Sequence, residues 1–289
     1  MGDSEPAFHS VAVVGVGLIG GSIALGVRER WPSVRVYGVD RPAVLTHASS
    51  AGAIDTGFAA VADLPAVDLV VLAAPVRQNT RVLTEVPPHL REQALITDVG
   101  GTKRDAVKAA GLAGTPLRFV GGHPLGGAEH GGFGFASPNL FVGRPWILTP
   151  HERSATSEAD AARLSAFVSG LGARPVLMTA EEHDRVMAFV SHLPQLAASA
   201  LMDVVGGAVQ TEGLRVAGRG LTDSTRLASS PASVWKDVCT TNADAIRVAL
   251  DLLIDRLGDL RADLGRGDVM ESVFADAAHW RRELTHKRD

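Results

Sequence analysis

The first half of the chain alternates short, mainly apolar runs with longer stretches in which apolar residues recur every three or four positions. The short runs fall at residues 11–14, 34–39, 68–73, 94–97 and 117–120, and each ends at or near a glycine, aspartate or proline. Helix-length segments lie between them, among them 18–30 and 78–86. Short runs apolar on both faces, separated by helices, predict a parallel sheet covered on both sides, the doubly wound α/β architecture. Two more runs, at 146–148 and 175–178, flank a helical segment at 158–169 and carry the sheet domain to residue 178. From there the periodicity is helical, which predicts a second, all-helical domain over residues 179–289. Ile246, Leu250, Leu253 and Leu257 form its clearest stripe, yet Val248, Leu252 and Ile254 lie off it. Helices apolar on more than one face need more than one neighbour, so a homodimer through this domain is expected.

The first strand runs into GVGLIGG, which places Gly15, Gly17 and Gly20 around Leu18 and Ile19. A glycine-rich turn between a strand and a helix brings backbone and a helix N-terminus against a pyrophosphate, so this segment predicts a Rossmann dinucleotide site. The second strand ends at Asp40, twenty residues beyond Gly20. A carboxylate there accepts hydrogen bonds from ribose hydroxyls and repels a 2′-phosphate, which favours NAD over NADP. Arg41 works against that preference, because an arginine can pair with the phosphate.

Composition narrows the class. A chain of 289 residues with 46% hydrophobic and 21% charged residues is long enough for two domains, each with its own core. A net charge of −4, with no basic block, gives no sign of nucleic-acid binding. Cys239 is the only cysteine, so no internal disulfide is expected. The first ten residues lack a signal-type apolar stretch, and no wholly apolar run of membrane-spanning length is evident. A cytoplasmic protein with no membrane partner is the expectation.

Two loops after later strands are expected at the carboxyl edge of the sheet, where doubly wound folds bind ligands. They are TDVGGTK, at residues 97–103, and GGHPLGGAEHGG, at residues 121–132. His123 is read as lying directly after a strand, in a glycine-rich loop. Imidazole titrates near neutral pH, which suits a general base for oxidising a hydroxyl.

These segments, with AAPV, EEHDR, VSHLPQ and GLTDSTRLASSPASVW, resemble the prephenate/arogenate dehydrogenases of tyrosine biosynthesis over more than 200 residues. The resemblance implies a Rossmann domain joined to a helical dimerisation domain, NAD as cofactor, and oxidative decarboxylation of a cyclohexadienyl acid. It makes His123 the base and assigns Arg226 to a substrate carboxylate, a task suited to the planar guanidinium fork. It places Ala74 and Pro75 along the cofactor and His192, Gln195 and Glu129 at the substrate. His183 and Asp184 are read as structural polar contacts, and Trp235 as packing.

Two positions depart from the family pattern. Many members carry a serine at the position of Gly101, supporting the histidine; the adjacent Thr102 is the candidate to take over. Many prephenate-using members carry a second histidine at the position of Gln195, whose amide could receive an amino acid as well as a keto acid. Arogenate and a ring-amino analogue of specialised metabolism therefore stay open beside prephenate. The competing readings are a β-hydroxyacid dehydrogenase or imine reductase of the same plan, and a non-catalytic NAD-binding protein.

Overall fold

The computed structural model describes residues 5–112, 117–127, 130–151 and 157–286. Eight strands form one sheet: β1 (Ser10–Val14), β2 (Arg35–Val39), β3 (Thr56–Phe58), β4 (Leu69–Leu72), β5 (Leu95–Asp98), β6 (Phe119–Pro124), β7 (Pro145–Pro150) and β8 (Arg174–Leu177). Their order is β3-β2-β1-β4-β5-β6-β7-β8. Every neighbouring pair is parallel except β6–β7, which is antiparallel. The reversal of strand order beside β1 is the topological switch point at which such sheets bind ligands.

Alternation along the strands sorts the two cores. Val11, Val13, Leu69, Val71 and Leu95 point to one face, where Ile23, Val27 and Phe167 pack against them. Ala12, Val14, Val70, Leu72 and Ile96 point to the other, against Leu83 and Leu90. Both faces of the central strands are covered, which is why those strands read as largely apolar runs. The covering helices are α1 (Leu18–Arg30), α2 (Pro42–Ser50), α3 (Val76–Thr84), α4 (Pro88–Gln93), α5 (Arg104–Leu112) and α6 (Ser157–Gly170).

After β8 the chain is helical. Thr179 caps α7 (Ala180–Met187) by accepting a hydrogen bond from the Glu182 backbone at 3.1 Å. A π-helical turn, Ala188–His192, leads into α8 (Leu193–Leu214). Such turns concentrate at functional sites. By length and composition Ala180–Leu214 could span a bilayer. It nevertheless carries the buried polar residues His183, Asp184, His192 and Gln195, all hydrogen-bonded to protein partners. Short helices α9 (Arg219–Ser224) and α10 (Ala232–Thr241) follow.

The chain divides into two compact units, residues 1–243 and 244–289. The second holds nearly all of α11 (Ala243–Asp263) and the whole of α12 (Asp268–Thr285). Within it Leu252, Ile254, Leu257, Phe274, Trp280 and Leu284 are all exposed.

Two expectations are adjusted. His123 lies within β6, not after it, because β7 returns antiparallel and pairs as far as Pro124. That pairing also makes the sheet mixed at one end. Gly20 shows how tightly α1 sits on β1: a Cβ there would overlap the Gly15 carbonyl and lie 2.8 Å from Val13. Gly20→Ala is therefore expected to lower stability by about 1–3 kcal/mol, the usual cost of overpacking. Urea unfolding of the purified variant measures it; an unchanged midpoint would contradict this packing.

Candidate active site

The glycine turn is shaped for a phosphate. Gly15 has φ +93°, and a Cβ on it would lie 2.7 Å from the Ala73 and Ala74 backbone, so only glycine fits. Gly17 caps α1 without any side-chain hydrogen bond, and a Cβ on it would meet nothing within 4 Å. The first amides of the helix lie at its positive end, and Gly17 leaves room beside them. Leu18 and Ile19 open the helix and are half-buried. Asp40 accepts the Val16 amide at 2.7 Å through one oxygen and the Arg41 amide at 2.7 Å through the other. Each oxygen keeps a lone pair for a ribose hydroxyl. The Arg41 side chain is 86% exposed and 3.9 Å from Asp40, too loosely held to neutralise that carboxylate.

The Ala74–Pro75 corner follows β4 and leads into α3. Asn79, fully buried, accepts the Ala74 amide at 3.1 Å and donates to the Leu72 carbonyl at 2.9 Å. Asn79 escaped the sequence reading, although a lone asparagine among apolar positions was a usable signal.

The ends of β5 and β6 are joined by Asp98. Its buried carboxylate accepts amides from Gly100 at 3.0 Å and Gly122 at 3.1 Å and pairs with the fully buried ammonium of Lys103. Gly121 and Gly122 are glycines for want of room: a Cβ on the first would overlap the Thr149 hydroxyl, and on the second would lie 2.5 Å from the Asp98 carbonyl. This close packing fixes the strand that presents His123.

His123 is half-buried. Its Nδ1 lies 2.9 Å from Nε2 of His183, and His183 Nδ1 lies 2.7 Å from Asp184 Oδ1. Asp184 also accepts the Lys103 amide at 2.7 Å, the Arg104 amide at 3.1 Å and Arg104 Nε at 3.2 Å. Burial raises the Asp184 carboxyl, but bonds from His183 and these amides outweigh it and leave the group below its ordinary value. His123 is held well below the usual imidazole value, first by desolvation and then by His183, Lys103 and His192. Desolvation also lowers His183, against the opposing pull of Asp184. Both shifts favour the neutral ring at neutral pH, the state a base requires.

The remaining candidates separate into one that is exposed and others that are buried and bonded. Arg226 begins a single 3-10 turn, Arg226–Ser229, is exposed, and makes no ion pair among the described residues. Gln195 was expected at the substrate, but it is buried and its amide is engaged. It donates to the Leu227 carbonyl at 2.7 Å and accepts the Ser230 hydroxyl at 3.1 Å, holding the turn that carries Arg226. His192 is likewise buried, with Nδ1 3.3 Å from Asn242 Nδ2, a hydrogen bond to the Gly101 backbone, and Trp235 edge-on at 6.0 Å. It supports the Gly101 segment. Thr102 does not replace the missing serine, because its hydroxyl pairs with Thr241 at 2.8 Å. A Cβ on Gly101 would lie 4.0 Å from His123 Nε2, so the position itself adjoins the imidazole. Glu129 lies outside the described residues.

A switch-point phosphate turn combined with a neutral imidazole at the carboxyl edge of the sheet defines a nucleotide-dependent oxidoreductase. The family description "Prephenate dehydrogenase, nucleotide-binding domain" matches residues 23–177, and "Prephenate dehydrogenase, dimerization domain" matches residues 179–275. The chain belongs to the prephenate dehydrogenase family. It is 32% identical to a cyclohexadienyl dehydrogenase of Zymomonas mobilis, covering 98% of both chains. It is also 32% identical to a prephenate dehydrogenase of Lactococcus lactis, covering 95% of this chain and 77% of that one. Among solved structures, Aquifex aeolicus prephenate dehydrogenase in complex with hydroxyphenyl propionate and NAD+ superposes with a TM-score of 0.87 at 29% identity, covering 97% of this chain and 99% of the other. Synechocystis arogenate dehydrogenase gives 0.75 at 26% identity, covering 95% and 99%.

Burial has a measurable consequence at His192, whose pKa is lowered to about 4, chiefly by desolvation. An unfolded histidine titrates near about 6.5. Between these values the unfolded chain binds a proton that the native chain does not, so this contribution to stability is full above that window and is lost on acidification through it. The slope is at most about 1.4 kcal/mol per pH unit for one such site. Urea unfolding at pH 7 and pH 5 is expected to show a smaller pH-dependent loss for His192→Asn than for the wild type. Equal losses would mean that His192 protonates freely in the native state.

Proposed function

We propose that this protein catalyses the NAD-dependent oxidative decarboxylation of a cyclohexadienyl acid, prephenate or arogenate, with His123 as general base. The observation that carries this reading is a neutral, half-buried imidazole beside the glycine at position 101, on the same sheet edge as the phosphate turn. Gly15, Gly17, Leu18, Ile19 and Gly20 would hold the pyrophosphate, Asp40 the adenosine ribose, and Ala74 and Pro75 the flank of the cofactor. Bound NAD supplies the hydride acceptor. His123 takes the proton of the ring hydroxyl as the carbon–hydrogen bond is lost. Departure of the ring carboxylate as carbon dioxide leaves its electron pair in the ring, and the proton returns to the phenolic oxygen. Aromatisation drives the reaction, so the residues chiefly position the substrate and neutralise its charge.

Arg226, free of internal ion pairs among the described residues, binds a substrate carboxylate in this reading. Gln195 sets the place of Arg226 rather than reading the substrate side chain, since both ends of its amide are already bonded. The carboxylate of Asp40 favours NAD over NADP. We place the domain boundary at residues 178/179 and assign the exposed apolar residues of α11 and α12 to a homodimer, a reading supported by the dimerisation description of the matched domain.

NADH formation followed at 340 nm with prephenate and with arogenate tests the reaction. His123→Asn is expected to lower kcat by about 10²–10⁴-fold with NAD affinity retained. Arg226→Gln is expected to act mainly on KM. Near-wild-type turnover by His123→Asn would sink the assignment of the base. Asp40→Asn is expected to shift the NAD:NADP ratio of kcat/KM towards NADP, and an unchanged ratio would remove Asp40 from cofactor choice.

A further inference from the structure

We infer that His183 and Asp184 form a buried relay that fixes the tautomer of His123 and leaves its Nε2 as the lone pair that accepts the substrate proton. This rests on the reading of His123 as the base and assigns two positioning residues to it.

The argument is one of hydrogen-bond accounting. Asp184 sits where an ionised carboxylate is favoured: its two oxygens receive the Lys103 and Arg104 amides and Arg104 Nε. A carboxylate only accepts, so the ring atom facing it, His183 Nδ1 at 2.7 Å, must donate. A neutral imidazole carries one N–H. His183 Nε2 is therefore a lone pair, and the atom 2.9 Å from it, His123 Nδ1, must carry a hydrogen. The remaining nitrogen of neutral His123, Nε2, is then bare, and it is the one adjoining position 101.

Burial makes the relay strict. His183 and Asp184 are at most 1% exposed, so no water competes for these bonds. Desolvation disfavours a second proton on either ring, as does Lys103, whose ammonium pairs with Asp98; at His123, His183 and His192 add to the same effect. Asp184 and Asp98 are the opposing negative charges. Neither relay residue reaches the reacting atoms in this reading; both act through His123. Adjacent His-Asp on the first turns of α7 would ordinarily read as packing, and the juxtaposition with β6 gives the pair its role.

Two measurements test the relay. Long-range proton–nitrogen NMR on the wild-type protein, with His123→Asn used for assignment, reads which ring nitrogen carries hydrogen. Hydrogen on Nδ1 and none on Nε2 of His123 is expected; the reverse pattern overturns the proposal without any relay variant having to fold. In Asp184→Asn the amide can donate to His183 Nδ1, which reverses both rings. Its kcat is expected to fall by about 10²–10⁴-fold, with the His123 nitrogen pattern inverted and NAD affinity unchanged. His183→Gln, which keeps an acceptor towards His123, is expected to recover activity that His183→Leu loses. A purely structural pair would instead lower thermal stability and NAD binding while leaving the nitrogen pattern as in the wild type. Full activity in His183→Leu overturns the relay even if His123→Asn is inactive, and full activity in His123→Asn removes the base while leaving the tautomer result intact.

Discussion

The carboxylate of Asp184 is the constraint on which the candidate site depends. Two consecutive amides at the start of α5, a guanidinium nitrogen and an imidazole all converge on it. The amides tie the loop after β5 to α7, and the imidazole ties α7 to β6 through His123. One buried charge thus brings together the sheet edge and the first helix after the sheet. A buried carboxylate costs several kcal/mol to desolvate unless it is well bonded. Four donors offset that cost here, and removing any one would leave the others holding a partly unsatisfied charge.

Asp98 plays the matching part within the sheet. Its bonds to Gly100, Gly122 and Lys103 close the gap between β5 and β6, where glycines leave no side chain to fill it. Asp98 holds the TDVGGTK loop at Gly100 and Asp184 holds it at Lys103, and together they define the path of its backbone. Gly101 is carried between them, and its backbone in turn bonds His192. The residues called on for chemistry are few; most conspicuous polar residues in the motifs hold backbone in place.

That division explains what could be read from the chain. β1, β2, β4 and β5 were legible because their faces are both dry, and the phosphate turn because its glycines answer to local geometry. β3 was missed: three residues at the edge of the sheet, TGF, give no apolar run. The extension of β6 through His123 depends on β7, more than twenty residues later. Gln195 and His192 were read from their motifs as substrate residues, but their partners at Leu227, Ser230, Asn242 and Gly101 lie 32–91 positions away. Spacing along one segment could not show that these polar atoms were already engaged. Thr102 failed for the same reason, through Thr241.

The antiparallel pairing of β6 with β7 has a consequence for how such a chain can change. His123 stands opposite Ile147 in a register also set by Gly121 opposite Thr149 and Gly122 opposite Leu148. Side chains alternate across a strand, so one residue inserted or deleted between Phe119 and His123 would turn the imidazole to the other face of the sheet. Between the paired residues Pro124 and Pro145 no such alternation has to be kept. A change of length can be absorbed there outside the core residues Phe133 and Phe141, while the strand tolerates substitution only in place.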